Sequence, residues 1–399
     1  MLYTHTPSGM GSNLNVAVMR GFKNAMNAGR IFVFARKDDG FLYTDKGTFC
    51  AGKRSWECWF EPVSRCVPGP TSDVYHASGW GTGPDMRESG AKCASKSCGP
   101  YAVNEMIPPS SSAFYNRTNS SHYTDVYSAY PIQFKDLLAC SGVKPSHYFY
   151  WWTAQALAYV MRLTQRTRTE LDKLRATNLR IVSHGKQVHA TDVPTGAVGI
   201  YVRHGKKAVE AGVYPWATYF RSMEHMVMNA SSIPVLAPHL STAKAPVKFA
   251  TGQDFSSRVM VLGTEDPQVI SSATASPWTT IYTDYPRSNQ DVWMQHGRVS
   301  VISDVLNAFL NLELALEADA WVLTLSSNWC RLIDTLRMTV AGKADAILVD
   351  LSAPEAICNP MPQNSFCYLD ARGGAGRSDP KKQPAPQRSV PHKQSSPYR

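Results

Sequence analysis

Apolar and polar residues follow two rhythms in the second half of this chain. Short apolar, β-branched runs bounded by turn residues alternate with longer segments in which apolar side chains recur every three or four positions. Gly196-Ala-Val-Gly-Ile-Tyr-Val202, Arg258-Val-Met-Val-Leu-Gly263 and Ala320-Trp-Val-Leu-Thr-Leu325 have the first form and read as buried strands. Pro215 to Val227, the segment opening at Asp266-Pro267, Val299 to Glu317, and Trp329 to Arg337 have the second form and read as helices, with Pro267 at a favoured early position. Strands alternating with helices predict a doubly wound parallel sheet.

The first half is less regular. After Gly9-Met-Gly11-Ser-Asn-Leu, the positions Val16, Met19, Phe22 and Met26 recur at near-helical spacing over residues 15–28, and Gly29 to Ala35 reads as a buried strand. Residues 38–130 carry little periodicity and many Ser, Gly and Pro, so they read as long loops with short elements. Within them, Gly79-Trp-Gly-Thr-Gly-Pro84 has glycines but no strand-then-helix context for a dinucleotide fingerprint. One long helix is expected from Trp152 to Ala176, and its Arg162, Arg166, Arg168, Lys173 and Arg175 read as a solvated face beside Glu170 and Asp172.

Composition adds bounds. Of 399 residues 43% are hydrophobic and 18% charged, which supports a core of ordinary size and excludes disorder throughout. The net charge of +10 raises nucleic acid, anionic membrane or phosphorylated ligands as partners. Residues 371–399, however, carry seven basic residues against one acid, Asp379, a net +6 that leaves only +4 on the rest. From Gly373 the chain is Gly, Pro, Ser, Gln, Lys and Arg with scarcely an apolar residue, and this tail is expected to be disordered. The charge that suggested nucleic acid thus sits on the tail, and no nucleic-acid partner is expected.

Seven of the nine cysteines (Cys50, Cys58, Cys66, Cys93, Cys98, Cys140 and Cys367) lie in loop-like stretches. Together with sequons at Asn116, Asn119 and Asn229 they favour an oxidising, secretory-pathway environment. Disulfides or buried thiols suit them better than structural zinc, and spacing does not decide the pairing. No run of 18 apolar residues occurs, and the N-terminus lacks the basic-then-apolar layout of a signal peptide. The cysteines and sequons favour a sequence whose beginning is missing over a protein that is not secreted.

In an open parallel α/β sheet, ligands bind beyond the carboxyl ends of the strands. Three such ends are polar: Arg203-His-Gly-Lys-Lys207 with Glu210 beyond, Thr264-Glu-Asp-Pro267, and Ser326-Ser-Asn328. They suit an anionic nucleotide. Arg203 can grip a diphosphate with its planar fork, and Ser326 and Ser327 with a helix N-terminus offer further donors. Glu210 is a candidate base, and Glu265 or Asp266 can hold hydroxyls or orient neighbours. The simplest competing readings are N-caps for Ser326, Ser327 and Asp266 and a surface charge for Arg203.

At these residues the chain resembles the alpha-1,6-fucosyltransferase family, which includes core fucosyltransferases of N-glycans and bacterial nodulation fucosyltransferases, and more distantly the protein O-fucosyltransferases. The resemblance is carried by Gly199-Ile-Tyr-Val-Arg-His204 with Lys207 and Glu210, by Thr264-Glu-Asp-Pro267, and by Ala318 to Arg331. The paired-tryptophan segment Trp151 to Arg162, Gly9 to Leu14, and Trp59 to Cys66 extend it, in order, from about Gly9 to Leu351. It implies a GT-B-like enzyme with two α/β lobes: residues 1–190 with the cysteine-containing loops, a Rossmann-type GDP-sugar-binding lobe at 191–352, and the basic tail at 353–399.

The resemblance further implies inverting transfer of fucose from GDP-fucose to a glycan or glycoprotein, with no metal or other cofactor. The setting would be the Golgi lumen or secretory pathway, with a membrane anchor that this sequence does not contain. Arg203 would bind the β-phosphate, with Lys207 supporting that site, and Glu210 would deprotonate the acceptor. Glu265 and Asp266 would organise the acceptor side. Ser326, Ser327 and Asn328 would meet the diphosphate, and Tyr201 would lie near guanine. His204 stands where the family carries a second arginine, Lys206 where it carries an aspartate, and Asn311 where an aspartate reads guanine. An amide presents one acceptor oxygen where a carboxylate presents two. The alternative is therefore a catalytically impaired glycan- or nucleotide-sugar-binding relative.

Overall fold

The apolar runs become strands of a seven-stranded, mostly parallel sheet, seen in a computed structural model. The structure describes residues 2–4, 10–14, 18–27, 29, 31–34, 43–44, 49–51, 55–66, 74–76, 130–140, 148–188, 192–204, 213–229, 255–287, 301–343 and 346–351. In chain order the elements are β1 (Leu2–Thr4), α1 (Met10–Ser12), α2 (Val18–Asn27), β2 (Val33–Phe34), β3 (Val74–His76), α3 (Lys135–Cys140), α4 (Tyr148–Val160), α5 (Gln165–Asn178), β4 (Leu179–Ser183), β5 (Lys186–Val188), β6 (Val198–Val202), α6 (Trp216–Asn229), β7 (Val259–Thr264), α7 (Pro267–Thr274), β8 (Thr279–Thr283), α8 (Val301–Glu317), β9 (Ala320–Leu323), α9 (Asn328–Thr339) and β10 (Leu348–Asp350). The three strands and four helices expected after residue 195 all form. The tail, residues 38–42, the glycines of 79–84, the sequons at Asn116 and Asn119, and Cys93, Cys98 and Cys367 lie outside the described residues. Asn229 is the last residue of α6.

The large sheet runs β10-β9-β6-β7-β8-β4-β5. Strands β10, β9, β6, β7 and β8 are parallel. The β4–β5 hairpin departs from the all-parallel expectation, because β4 runs antiparallel to both β8 and β5. Its turn is the dipeptide His184-Gly185, both at positive φ (50° and 73°), the conformation that a two-residue hairpin turn demands and that glycine adopts without strain. A separate small parallel sheet has the order β2-β1-β3.

Both faces of the large sheet are covered, which is why its strands read as unbroken apolar runs. Alternation puts Val198, Ile200, Val202, Met260 and Leu262 on one face, packed with Tyr219, Met223 and Met226 of α6 and Val269 and Ala273 of α7. The opposite face carries Val261, Ile281, Trp321 and Leu323 beneath Phe309 and Leu310 of α8 and Leu332, Ile333 and Leu336 of α9.

The single helix expected over residues 152–176 is two helices. Between α4 and α5 the backbone leaves the helix and is gripped by a distant segment: Leu163 forms a β-bridge with Phe60, Glu61 N donates to Arg162 O (2.7 Å) and Thr164 N donates to Trp59 O (3.0 Å). Thr164 then caps α5, its hydroxyl accepting from Thr167 N at 3.2 Å. The gripping segment is itself anchored. Trp56 Nε1 donates to Val160 O (3.2 Å), Trp59 Nε1 to Tyr43 O (2.7 Å), and Trp59 and Phe60 pack edge-on against Phe309. The Cys50–Cys58 disulfide closes this turn, while Cys66 and Cys140 are exposed thiols and Cys330 is a buried one.

The basic residues over 162–175 are more engaged than a solvated face requires. Lys173 pairs with Glu170 at 2.8 Å, as expected of neighbours on one helix. Arg175 forms a two-pronged pair with Glu317 of α8, with Nη2 to Oε2 at 2.7 Å. Arg162 and Arg166 lie over the rings of Tyr159 and Phe49.

Candidate functional site

Strand order locates the site. From β6 the chain adds β7 and then β8 on one side, and afterwards returns to place β9 and β10 on the other. The reversal opens a crevice beyond the carboxyl ends of β6 and β9, where the helices that follow them diverge to opposite faces. Tyr201, Arg203 and His204 sit at the end of β6, and Ser326, Ser327 and Asn328 at the end of β9. Glu265 and Asp266 follow β7, the neighbour of β6.

Arg203, His204, Glu265 and Asp266 form a connected set. Arg203 pairs with Glu265, whose Oε1 also accepts from His204 N at 2.8 Å. The other carboxylate oxygen, Glu265 Oε2, is buried and has no partner among the described residues. His204 is held at both ring nitrogens: Nδ1 lies 2.7 Å from Asp266 Oδ2, and Nε2 donates to Tyr214 O at 2.8 Å. Asp266 also caps α7, its Oδ1 accepting from Gln268 N at 2.9 Å, with Pro267 following as the first helical residue. Asp266 therefore has the ordinary capping role and a second one as the clamp on His204.

Across the crevice, Ser327 occupies the N-cap position of α9, yet its hydroxyl makes no cap bond. A helix start carries N–H groups and a partial positive charge that favour an anion. The turn α1 lies directly on it. A Cβ at Gly11 would stand 2.9 Å from Trp329 N and 3.2 Å from Asn328 Cβ, so only glycine permits this approach. Below the surface, burial pushes the Cys330 thiol up to about 11 and raises the Tyr219 hydroxyl, which donates to Thr324 Oγ1 at 3.3 Å.

Tyr201 spans the gap between the two groups. Its ring lies against Gly263, where a Cβ would come within 2.6 Å of Cδ2, and 6.4 Å from the Trp329 ring. Burial, reinforced by the Glu265 carboxylate, holds its hydroxyl neutral well above the ordinary tyrosine range. Trp329 Nε1 is buried without a partner among the described residues, in a residue only 9% exposed. An acceptor, Glu265 Oε2, and a donor, Trp329 Nε1, are thus left over beside one aromatic ring. Unsatisfied buried polar groups concentrate where a ligand completes them.

Asn311 stands apart from this set on α8, with both ends of its amide engaged. Oδ1 accepts from Thr283 Oγ1 at 2.9 Å and Nδ2 donates to Asn307 O at 2.8 Å. Lys206, Lys207 and Glu210 lie outside the described residues.

Two residues of this edge were not singled out from sequence. Tyr285 and Arg287 follow β8, itself unread, although Thr279-Thr-Ile-Tyr-Thr283 alternates in the manner of a strand and ends at Asp284 and Pro286. Burial raises the Tyr285 hydroxyl and lowers the Arg287 guanidinium relative to their ordinary ranges. Among the described residues no group of three or more His, Cys, Asp or Glu is placed to hold a metal ion, and no helix is long and apolar enough to cross a membrane.

No protein-family profile matches the chain, and no curated protein sequence matches it. Among solved structures it is similar to NodZ alpha-1,6-fucosyltransferase soaked with GDP-fucose, at 14% identity and a TM-score of 0.37, over 84% of this chain and 91% of that one. It is also similar to fucosyltransferase NodZ from Bradyrhizobium, at 14% identity and a TM-score of 0.34, with the same coverage of both chains.

Proposed function

We propose that the chain is an inverting, metal-independent glycosyltransferase that takes fucose from GDP-fucose to a glycan or glycoprotein acceptor, in a GT-B-like arrangement within the secretory pathway. The observation that carries the reading is the pairing, across the sheet's switch point, of Arg203 with a helix N-terminus whose N-cap serine does not cap it. A departing nucleoside diphosphate needs positive charge and N–H donors, and these two features supply both without a metal.

In this reading the acceptor oxygen attacks the anomeric carbon, the bond from that carbon to the diphosphate oxygen breaks, and the acceptor proton passes to the Glu210 carboxylate. Lys207 adds charge at the phosphates. Glu265 Oε2 accepts from a hydroxyl of acceptor or sugar, and Tyr201 packs against the nucleoside.

The test is GDP release from a panel of nucleotide sugars, with and without candidate glycans. Release from GDP-fucose that rises with a glycan, and a product of inverted anomeric configuration, is expected; folded protein that releases nothing from any donor overturns the enzyme reading. One observation favours the second reading, an impaired relative that binds without turning over. Asn311 already bonds Thr283 through its oxygen and Asn307 through its nitrogen, and its amide presents guanine a single acceptor oxygen where a carboxylate would present two. Glu210→Gln separates the two: an enzyme loses turnover and keeps donor binding, whereas a binder has no turnover to lose.

A further inference from the structure

Among the described residues Arg287 forms no ion pair: Asp284, itself paired with Arg180, attracts it from beyond ion-pair distance. Arg287 Nε donates to Thr264 O at 3.0 Å, Nη2 to the Thr283 carbonyl and, at 3.2 Å, to the Thr283 hydroxyl, and Nη1 to Tyr285 O at 3.3 Å. The guanidinium lies over the Tyr285 ring, 4.1 Å from its centre. Every one of these partners is neutral. Arg175, Arg180, Arg203 and Arg337 each pair with a carboxylate, whereas no carboxylate pairs with Arg287 among the described residues. Burial lowers its pKa, opposed by Tyr285 and Asp284, yet a guanidinium stays charged. A desolvated cation without a counter-charge is costly, and it is commonly kept where an anion completes it.

Its place fits that completion. Thr264, whose carbonyl it holds, directly precedes Glu265, the partner of Arg203. Arg203 shares its charge with Glu265, and among the described residues Arg287 brings a second guanidinium, with no ion-pair partner, to this edge. Of its five N–H groups four are committed and one, on Nη1, remains. The committed four fix the plane of the fork in advance, so binding costs little side-chain freedom.

We infer that Arg287 is a second anion-binding residue of the site, giving its remaining N–H to a phosphate oxygen of the donor nucleotide. This rests on the nucleotide-sugar reading above, and the experiment separates the two.

Binding of GDP, pyrophosphate and guanosine to the full chain is measured by calorimetry for wild type, Arg287→Gln and Arg287→Lys. Arg287→Gln weakens GDP and pyrophosphate tenfold or more and leaves guanosine unchanged, while Arg287→Lys recovers part of the loss. If Arg287→Gln binds GDP and pyrophosphate as wild type does, the inference falls and the reading stands. If wild type binds the anions through Arg287 but releases GDP from no sugar donor, the inference stands and the reading falls; wild type binding neither anion overturns both. Should the variants fail to fold, phenylglyoxal labelling of wild type with peptide mass analysis gives the answer: GDP protects Arg287, and equal labelling with and without GDP refutes its role.

Discussion

Gly263→Ala probes the contact that sets Tyr201 in place. The added methyl would meet Tyr201 Cδ2 at 2.6 Å and Cε2 at 3.1 Å, closer than carbon atoms approach, so the ring or the strand must move. Overpacking of this kind costs about 1–3 kcal/mol, and the lower unfolded-chain entropy of alanine returns about 0.4–1 kcal/mol. The expected net loss is about 1–2 kcal/mol, or roughly 2–8 °C in Tm at about 2–4 °C per kcal/mol. Thermal or urea unfolding of the single variant, of Tyr201→Ala and of the double variant forms a cycle that isolates the contact. With the ring removed, Gly263→Ala should become neutral or stabilising. An equal cost in both backgrounds would show that the strand, not Tyr201, resists the methyl, and would refute the reasoning.

Three further outcomes are expected. Burial raises the Glu313 carboxyl above its ordinary range, opposed by Arg168 and Arg175; the folded chain then binds that proton more tightly than the unfolded one, so this group's contribution falls as pH rises through the window between the two values. Glu313→Gln should therefore gain stability over wild type at about pH 7, with the gain shrinking towards about pH 4, and urea midpoints that move alike at both pH values would contradict it. Asp266→Ala loses the α7 cap, worth about 0.5–2 kcal/mol, and the His204 clamp as well, so it should unfold at lower urea than Asp266→Asn, which keeps an oxygen for the cap. Native protein treated with iodoacetamide should label at Cys66 and Cys140 and leave Cys330 unmodified until it unfolds, because burial keeps that thiol protonated; mass analysis of Cys330 before and after denaturant checks this.

The strands β6, β7 and β9 were legible because each is buried on both faces and writes its burial into an unbroken apolar run. The helices after them carry caps or proline that mark their starts, as Asp266-Pro267 does for α7. What the sequence did not disclose depends on partners distant in the chain. The break between α4 and α5 is made by Trp59, Phe60 and Glu61, a hundred or so residues earlier, and the periodicity across residues 161–164 gives no hint of them. The parts of the site at strand ends could be named from order alone, since doubly wound sheets place ligands there. Arg287 could not, because its significance lies in the carbonyls of Thr264 and Thr283 that hold its fork, and those contacts are not a sequence property. Ser327 shows the converse limit: it stands where a cap belongs and does not cap.

The reversal of strand order also governs when the crevice can exist. During synthesis β6, β7 and β8 emerge in sequence and can pair as they appear, whereas the other edge of β6 is completed only when Ala320 to Val322 arrive to meet Val198 to Ile200. Until then β6 presents a row of unpaired amides flanked by apolar side chains, the kind of edge that recruits foreign strands. Long-range parallel pairing of this sort is slow to form. Chains stalled or truncated before β9 are thus the species most prone to aggregate, and the crevice closes only after β6, β7 and β8 have emerged, with β10 alone left to add beyond β9.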